Sequence, residues 1–224
     1  MATPPPKLYL LSCATGPLES FRLAELASVA NLFNVDYSFP HGTPDESRPY
    51  MIVQLAGDRE ARLLASRLVS VKHIWELWTY GDTYEQVHER CKTDACREFW
   101  EPYASDRSCT WKFTVAGHNR TIPLAIQVKT INSFSYMAFL GDIDLRNPNL
   151  EVGVFEEYVF DGTRGQKMNE AREKLGVNND AKGKKKERDQ DLWNGEDAEF
   201  RGVWIGRKVR RTVRFSPTQR FRSS

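Results

Sequence analysis

Four soft or basic ligand types crowd one stretch of this chain: His88, Cys91, Cys96 and Cys109. A structural zinc site pairs its ligands two to four residues apart on a tight turn and repeats the pair about a dozen residues later. Only half of that pattern is present here, so the spacing predicts packed side chains and no metal. His41, His73 and His118 have no acid or nucleophile at a recognisable spacing, and no residue is assigned a catalytic role. A different chemistry is available to Lys112, Arg120, Lys129, Asn132, Arg146 and Asn147. Cations and amide donors of this kind hold phosphates and ribose hydroxyls, and these six fall on or beside the polar edges of one region. Lys184, Lys185, Lys186, Arg210, Arg211 and Arg214 add a second, sequence-independent set of phosphate contacts.

Charge divides along the chain in the same sense. Residues 1–166 carry 16 Lys and Arg against 21 Asp and Glu, whereas 167–224 carry 16 against 9. Long-range attraction to a polyanion therefore comes from the tail, and the folded part must rely on locally grouped cations. Four scattered cysteines without a Cys-x-x-Cys pair fit a reducing, cytoplasmic setting. The short apolar run after the three N-terminal prolines suits a first strand better than a secretion signal, and no run is long enough to span a bilayer.

The elements that must position these side chains follow from periodicity. Leu8 to Cys13 is a compact apolar strand. Ser20 caps a helix with Leu23, Leu26, Ala27, Ala30 and Phe33 inward and Arg22, Glu25, Ser28 and Asn31 outward. Tyr50 to Leu55 is a buried strand. Asp58 caps a second helix facing inward through Ala61, Leu64, Ala65 and Leu68, and Val71 to Trp78 closes the unit. The order β-α-β-β-α-β is ferredoxin-like. Thr83 then opens a helix through Tyr84, Val87, His88 and Cys91, with Cys96 in the loop beyond it. Alternation from Cys109 to Val115 predicts a half-buried strand, Leu124 to Ile131 a helix, and Gly141 to Tyr158 two strands around an Asn-Pro-Asn turn. The fold class is α+β: a ferredoxin-like domain at 7–80, an α/β domain at 81–165, a charged flexible linker at 166–199 and a basic segment at 200–224.

The stretch GDIDLRNPNLEVGVFEEY (Gly141 to Tyr158), with YLLSCATGPLESFRLAELASVANLF (Tyr9 to Phe33) and HIWELWTYGDTYEQVHERCK (His73 to Lys92), resembles the catalytic subunit of the tRNA guanine-10 N2-methyltransferase family. The resemblance runs from Leu8 to Arg164, about three quarters of the chain, and makes residues 81–165 a THUMP-like RNA-binding domain. It implies tRNA as partner, held at its acceptor stem and 3′ end, and singles out Arg146 and Asn147. Residues 200–224 are then a truncated lead-in to a methyltransferase domain. Methyl transfer needs a crevice for S-adenosylmethionine and an Asn or Asp-Pro-Pro-aromatic motif for the flipped base. Asn147-Pro148-Asn149 lacks the second proline and the aromatic, so no cofactor is expected in this chain. The family's activator subunit is expected only where the catalytic domain is present. Two other readings stand beside this one: part of a longer or complemented methyltransferase, and a protein-interaction module that has lost RNA binding.

Overall fold

The computed structural model describes residues 7–14, 19–159 and 198–209. It is a mixed α+β chain of two compact units, Met1–Leu77 with Gly206–Ser224, and Trp78–Ile205. The division falls inside two strands, so residues 200–209 are structural members of the units and not a separate appendage. Residues 160–197, which hold most of the expected linker (166–199), and the basic tail from Arg210 lie outside the described residues.

The first unit contains β1 (Lys7–Cys13), α1 (Arg22–Phe33), β2 (Tyr37–Ser38), β3 (Tyr50–Leu55), α2 (Asp58–Arg67) and β4 (Val71–Gly81). Its strands lie in the order β2-β3-β1-β4, with each pairing antiparallel. This is the ferredoxin-like arrangement that the element order predicts. Leu11, Leu26, Met51, Val53, Leu64, Leu68 and Ile74 fill the core. Asn34 ends α1 in the left-handed region at φ 51°, its N–H returning to the carbonyls of Ala30 and Asn31.

Helix α1 turns a different face inward from the one its apolar residues suggest. Arg22 is 1% exposed and Glu25 is buried, whereas Ala27 is exposed. The buried stripe is Arg22, Glu25, Leu26 and Ala30, the ordinary helical spacing with two charges included. Arg22 donates to the carbonyls of Glu46, Arg48 and Ala14, and Glu25 accepts from the Val69 N–H at 2.7 Å, the Ser70 N–H at 2.9 Å and the Ser70 hydroxyl. Both side chains satisfy backbone groups of loops that no strand partner reaches. Ser20 does not cap the helix. A 3₁₀ turn, Glu19–Phe21, leads into Arg22.

Asp58 likewise does something other than capping. It accepts the Tyr9 hydroxyl at 2.9 Å and Arg207 Nη2 at 2.7 Å, while Arg207 Nε reaches Glu76 at 2.9 Å and Lys7 reaches Glu76 at 2.6 Å. Burial disfavours the Asp58 carboxylate, but the hydrogen bond and charge of Arg207, helped by Tyr9 and Arg62, hold its pKa below the ordinary range. Gly206 lets its strand, β7 (Glu199–Lys208), pass this point, since a Cβ there would lie 2.2 Å from the Glu76 carbonyl oxygen.

The second unit contains α3 (Tyr84–Cys91), α4 (Asp94–Ala104), β5 (Trp111–His118), α5 (Leu124–Ser133), β6 (Leu150–Val159) and β7 (Glu199–Lys208), with strand order β4-β7-β6-β5. Strands β5 and β6 run parallel from Trp111 opposite Leu150 to His118 opposite Glu157. Thr83 caps α3 through the Gln86 N–H. Cys96 sits on α4, not in a loop. Pro102 inside that segment obscures the helical signal, while Thr93 caps it and Cys96, Trp100 and Ala104 form its buried face. All four cysteines are buried and free, and among the described residues no cluster of His, Cys, Asp or Glu is arranged to hold a metal. No helix among them is long and apolar enough to cross a membrane.

Replacing Arg22 by Met should lower stability by about 3 kcal/mol, the scale for opening a buried charged network, as read by urea unfolding. An unchanged midpoint would show that the three carbonyls do not need their donor. Because the folded pKa of Asp58 is depressed, its contribution is present above the unfolded value of about 3.9 and is lost as pH falls through the folded value. Asp58→Asn should therefore flatten the acid limb of the stability profile, with the difference from wild type shrinking as pH drops below that range.

Candidate nucleic-acid interface

The expected two-stranded hairpin at Gly141–Tyr158 forms differently. Only its second half is a strand, β6, and it pairs with β5 in parallel; the first half makes a single parallel bridge, Ile143 to Trp111. Side chains of the segment itself explain the change. Asp144 accepts the N–H groups of Arg146 at 2.8 Å and Asn147 at 3.0 Å, curling the chain into a tight turn before Pro148 can extend it. These two bonds hold the Asp144 carboxylate below its usual pKa, the Asn147 bond contributing most. Asn149 then closes the turn onto the start of β5: its Oδ1 accepts the Thr110 N–H at 3.1 Å and the Thr110 hydroxyl at 2.8 Å.

On the other side of the turn, Trp111 Nε1 donates to the Gly141 carbonyl at 2.8 Å, the Trp111 N–H donates to the Asp142 carbonyl at 3.0 Å, and the Trp111 carbonyl accepts the Asp144 N–H at 3.0 Å. Gly141 passes so near Cys109 that a Cβ would lie 2.0 Å from its carbonyl oxygen. The loop is thus anchored at both ends while Arg146 and Asn147 remain exposed at its tip. Lys112, the second residue of β5, stands opposite Glu151 and reaches its carboxylate at 3.6 Å. Lys112 is also close enough to Asp144 to help lower its pKa. Lys112, Arg146 and Asn147 therefore gather at the amino-terminal end of the β5–β6 pair.

The other three expected residues do not join them. Arg120 follows the carboxyl end of β5, about 20 Å away at the usual strand rise. There its guanidinium lies 4.9 Å from the centre of the Tyr158 ring. Lys129 and Asn132 share an exposed side of α5, one turn apart. Lys184, Lys185, Lys186, Arg210, Arg211 and Arg214 lie outside the described residues.

Arg120 instead borders a cleft of about 440 Å³ walled by Tyr84, Tyr158, Phe200, Ile122 and Ile126 and reaching down to Glu156. Glu156 is 3% exposed and accepts the hydroxyls of Tyr84 and Tyr158, one on each oxygen. Burial, then the bond and charge of Glu156, push the Tyr158 hydroxyl up to about 12 and raise Tyr84 further still. Both phenols stay protonated and remain donors. Sequence reasoning missed Glu156, Tyr84 and Tyr158. The available signal was the Glu156-Glu157 pair inside the apolar run of β6, where a charge must find partners.

The family model described as the Tmrp11 THUMP N-terminal domain matches residues 7–177. The tRNA (guanine(10)-N(2))-methyltransferase TRMT11 of Homo sapiens is 30% identical over 153 residues, 68% of this chain and 32% of that protein. The tRNA (guanine(10)-N(2))-methyltransferase of Saccharomyces cerevisiae is 31% identical over 152 residues, 68% of this chain and 34% of that one. Among solved structures, PH1313 from Pyrococcus horikoshii superposes with a TM-score of 0.48 at 11% identity, over 92% of this chain and 55% of that chain. The match over residues 7–177 makes this α+β chain a THUMP N-terminal region. The chain belongs to the Tmrp11 THUMP N-terminal domain family and spans about a third of the length of the curated relatives it matches.

Gly141→Ala should force the loop off Cys109 and cost about 1–3 kcal/mol, the range for overpacking a close contact, as measured by thermal unfolding. A full-strength melt would mean that the anchor is dispensable.

Proposed function

We propose that this chain is the tRNA-binding portion of a tRNA guanine-10 N2-methyltransferase, acting with cytoplasmic tRNA and gripping its acceptor stem and 3′ end through the second unit. The supporting observation is the cluster of Lys112, Arg146 and Asn147 on a loop whose backbone is held rigidly, in a chain whose family relatives are enzymes named for that modification. Arg146 can offer a bidentate fork to a phosphate, and Asn147 a donor and an acceptor to a ribose hydroxyl. Lys112 already has a carboxylate partner in Glu151, so it contributes where a phosphate displaces or shares that pairing. Preorganisation of the loop reduces the ordering entropy of binding.

Alkylation is not part of this reading for these residues. Asn147-Pro148-Asn149 lacks the second proline and the aromatic of a base-holding motif, Pro148 is buried, and the Asn149 amide oxygen is taken by Thr110. S-adenosylmethionine, and an activator subunit if one is used, go with a catalytic domain that these residues do not supply.

The test is a mobility-shift titration of tRNA at two salt concentrations with the wild type and with the double variant Arg146→Ala, Asn147→Ala. Loss of an Arg–phosphate contact and an amide contact should weaken binding about tenfold or more and reduce the salt slope by about one. Removal of the unpaired 3′ nucleotides from the tRNA should weaken wild-type binding as well. Unchanged affinity in the double variant would remove the loop from the interface. Absence of binding even at low salt would favour the interaction-module reading, for which the exposed Leu140, Ile143 and Leu145 beside the same loop supply an apolar surface.

A further inference from the structure

The cleft at the carboxyl end of β5 and β6 is built for a ligand more specific than a phosphate backbone. One wall is aromatic: Phe200 stacks on Tyr84 with ring centres 6.2 Å apart and meets Tyr158 edge-on at 5.5 Å. Ile122, Pro123 and Ile126 supply an apolar wall, and Thr130 a hydroxyl. The floor carries a carboxylate, Glu156, whose two oxygens have about four acceptor positions, of which the two tyrosine hydroxyls take two. The spare positions can accept only from a donor. A buried carboxylate lining a cleft favours N–H groups over a carbonyl in the same place. Among the described residues, Arg120 is the one cation of the lining. The start of α3 is not an anion site, because the Glu85 carboxylate already accepts from its own N–H and from the Thr83 hydroxyl.

An aromatic-walled cleft, an acceptor at its floor and a cation in its lining match a single chemical class. We propose that this cleft takes one nucleotide whose base bears an exocyclic amino group, with the base between the aromatic and apolar walls, its amine on Glu156 and its phosphate on Arg120. A volume of about 440 Å³ lies within the usual range for a small-ligand site. The nucleotide has two sources, an unpaired residue of an RNA or a free mononucleotide. The first rests on the reading of this chain as a tRNA-binding portion, and the second does not.

Calorimetric titration of the full chain with adenosine monophosphate and inosine monophosphate separates the base edge from the phosphate, because adenine carries an amine at C6 and a bare N1 where hypoxanthine carries a carbonyl and an N1–H, so only a base seated with its C6 position on Glu156 is discriminated as proposed. The adenosine form should bind about tenfold or more tightly, the scale of one hydrogen bond to a charged group. Arg120→Ala, a rim substitution with the fold checked by circular dichroism, should weaken adenosine monophosphate by a similar factor. Glu156→Gln should erase the preference over inosine monophosphate. In a second arm, a short RNA ending in an unpaired adenosine is compared with the same RNA ending in inosine. Discrimination in both arms supports the cleft and an RNA source. Discrimination by the free nucleotides alone supports the cleft with a free nucleotide as its ligand, and total failure to bind RNA would count against the tRNA reading without touching it. Equal binding of the adenosine and inosine forms, or no effect of Arg120→Ala on either arm, overturns the proposal even if tRNA binding itself is intact.

Discussion

The parallel ladder between β5 and β6 is the constraint that organises the second unit. Two strands running the same way bring their starts to one end and their finishes to the other, so whatever precedes and follows them is sorted by direction. At the starting end, the chain entering β6 must meet the chain entering β5, and the Thr110–Asn149 and Trp111–Gly141 bonds tie them together. At the finishing end, Arg120 and Tyr158 are brought face to face. The same pairing therefore generates a rigid, donor-bearing loop at one edge and an aromatic cleft at the opposite edge. Neither feature survives a slip of register, because a one-residue shift would turn Glu156 to the other face.

Buried charge recurs as a device throughout the described residues. Arg22 and Glu25 satisfy backbone groups of irregular loops, Arg207 holds two carboxylates beside Tyr9, and Glu156 is held by two phenols. Each is a polar group that burial would penalise by several kcal/mol if it were left alone. In the first two cases the partners are internal, although Arg22 Nε is buried without one. At Glu156 each oxygen accepts one phenol, and the side chain lines a cleft. That position separates a structural charge from one that can still address a ligand.

Element order was legible where local periodicity and tertiary burial agreed. The apolar runs of β1 and β3, the inward residues of α2 and the Thr83 cap of α3 all appear as their spacing predicts. Reading failed where a side chain answered to distant backbone. Arg22 and Glu25 look like a solvated face until the loops at Glu46–Arg48 and Val69–Ser70 arrive, and α4 is hidden by Pro102 although its buried face is regular. The stretch before β6 alternates like a strand, yet the Asp144 side chain competes for the backbone donors and wins a turn.

By itself the sequence determined the α+β class, the family motifs and the residue types suited to phosphate and ribose, because periodicity, capping and short-range wording are local properties of a chain. Only the tertiary structure decided that Lys112, Arg146 and Asn147 meet while Arg120 stands a strand length away, and that Glu156 lies under two tyrosines. Strand direction and register convert sequence separation into distance, and in a parallel pair residues about 40 positions apart become neighbours while those eight apart in one strand become remote.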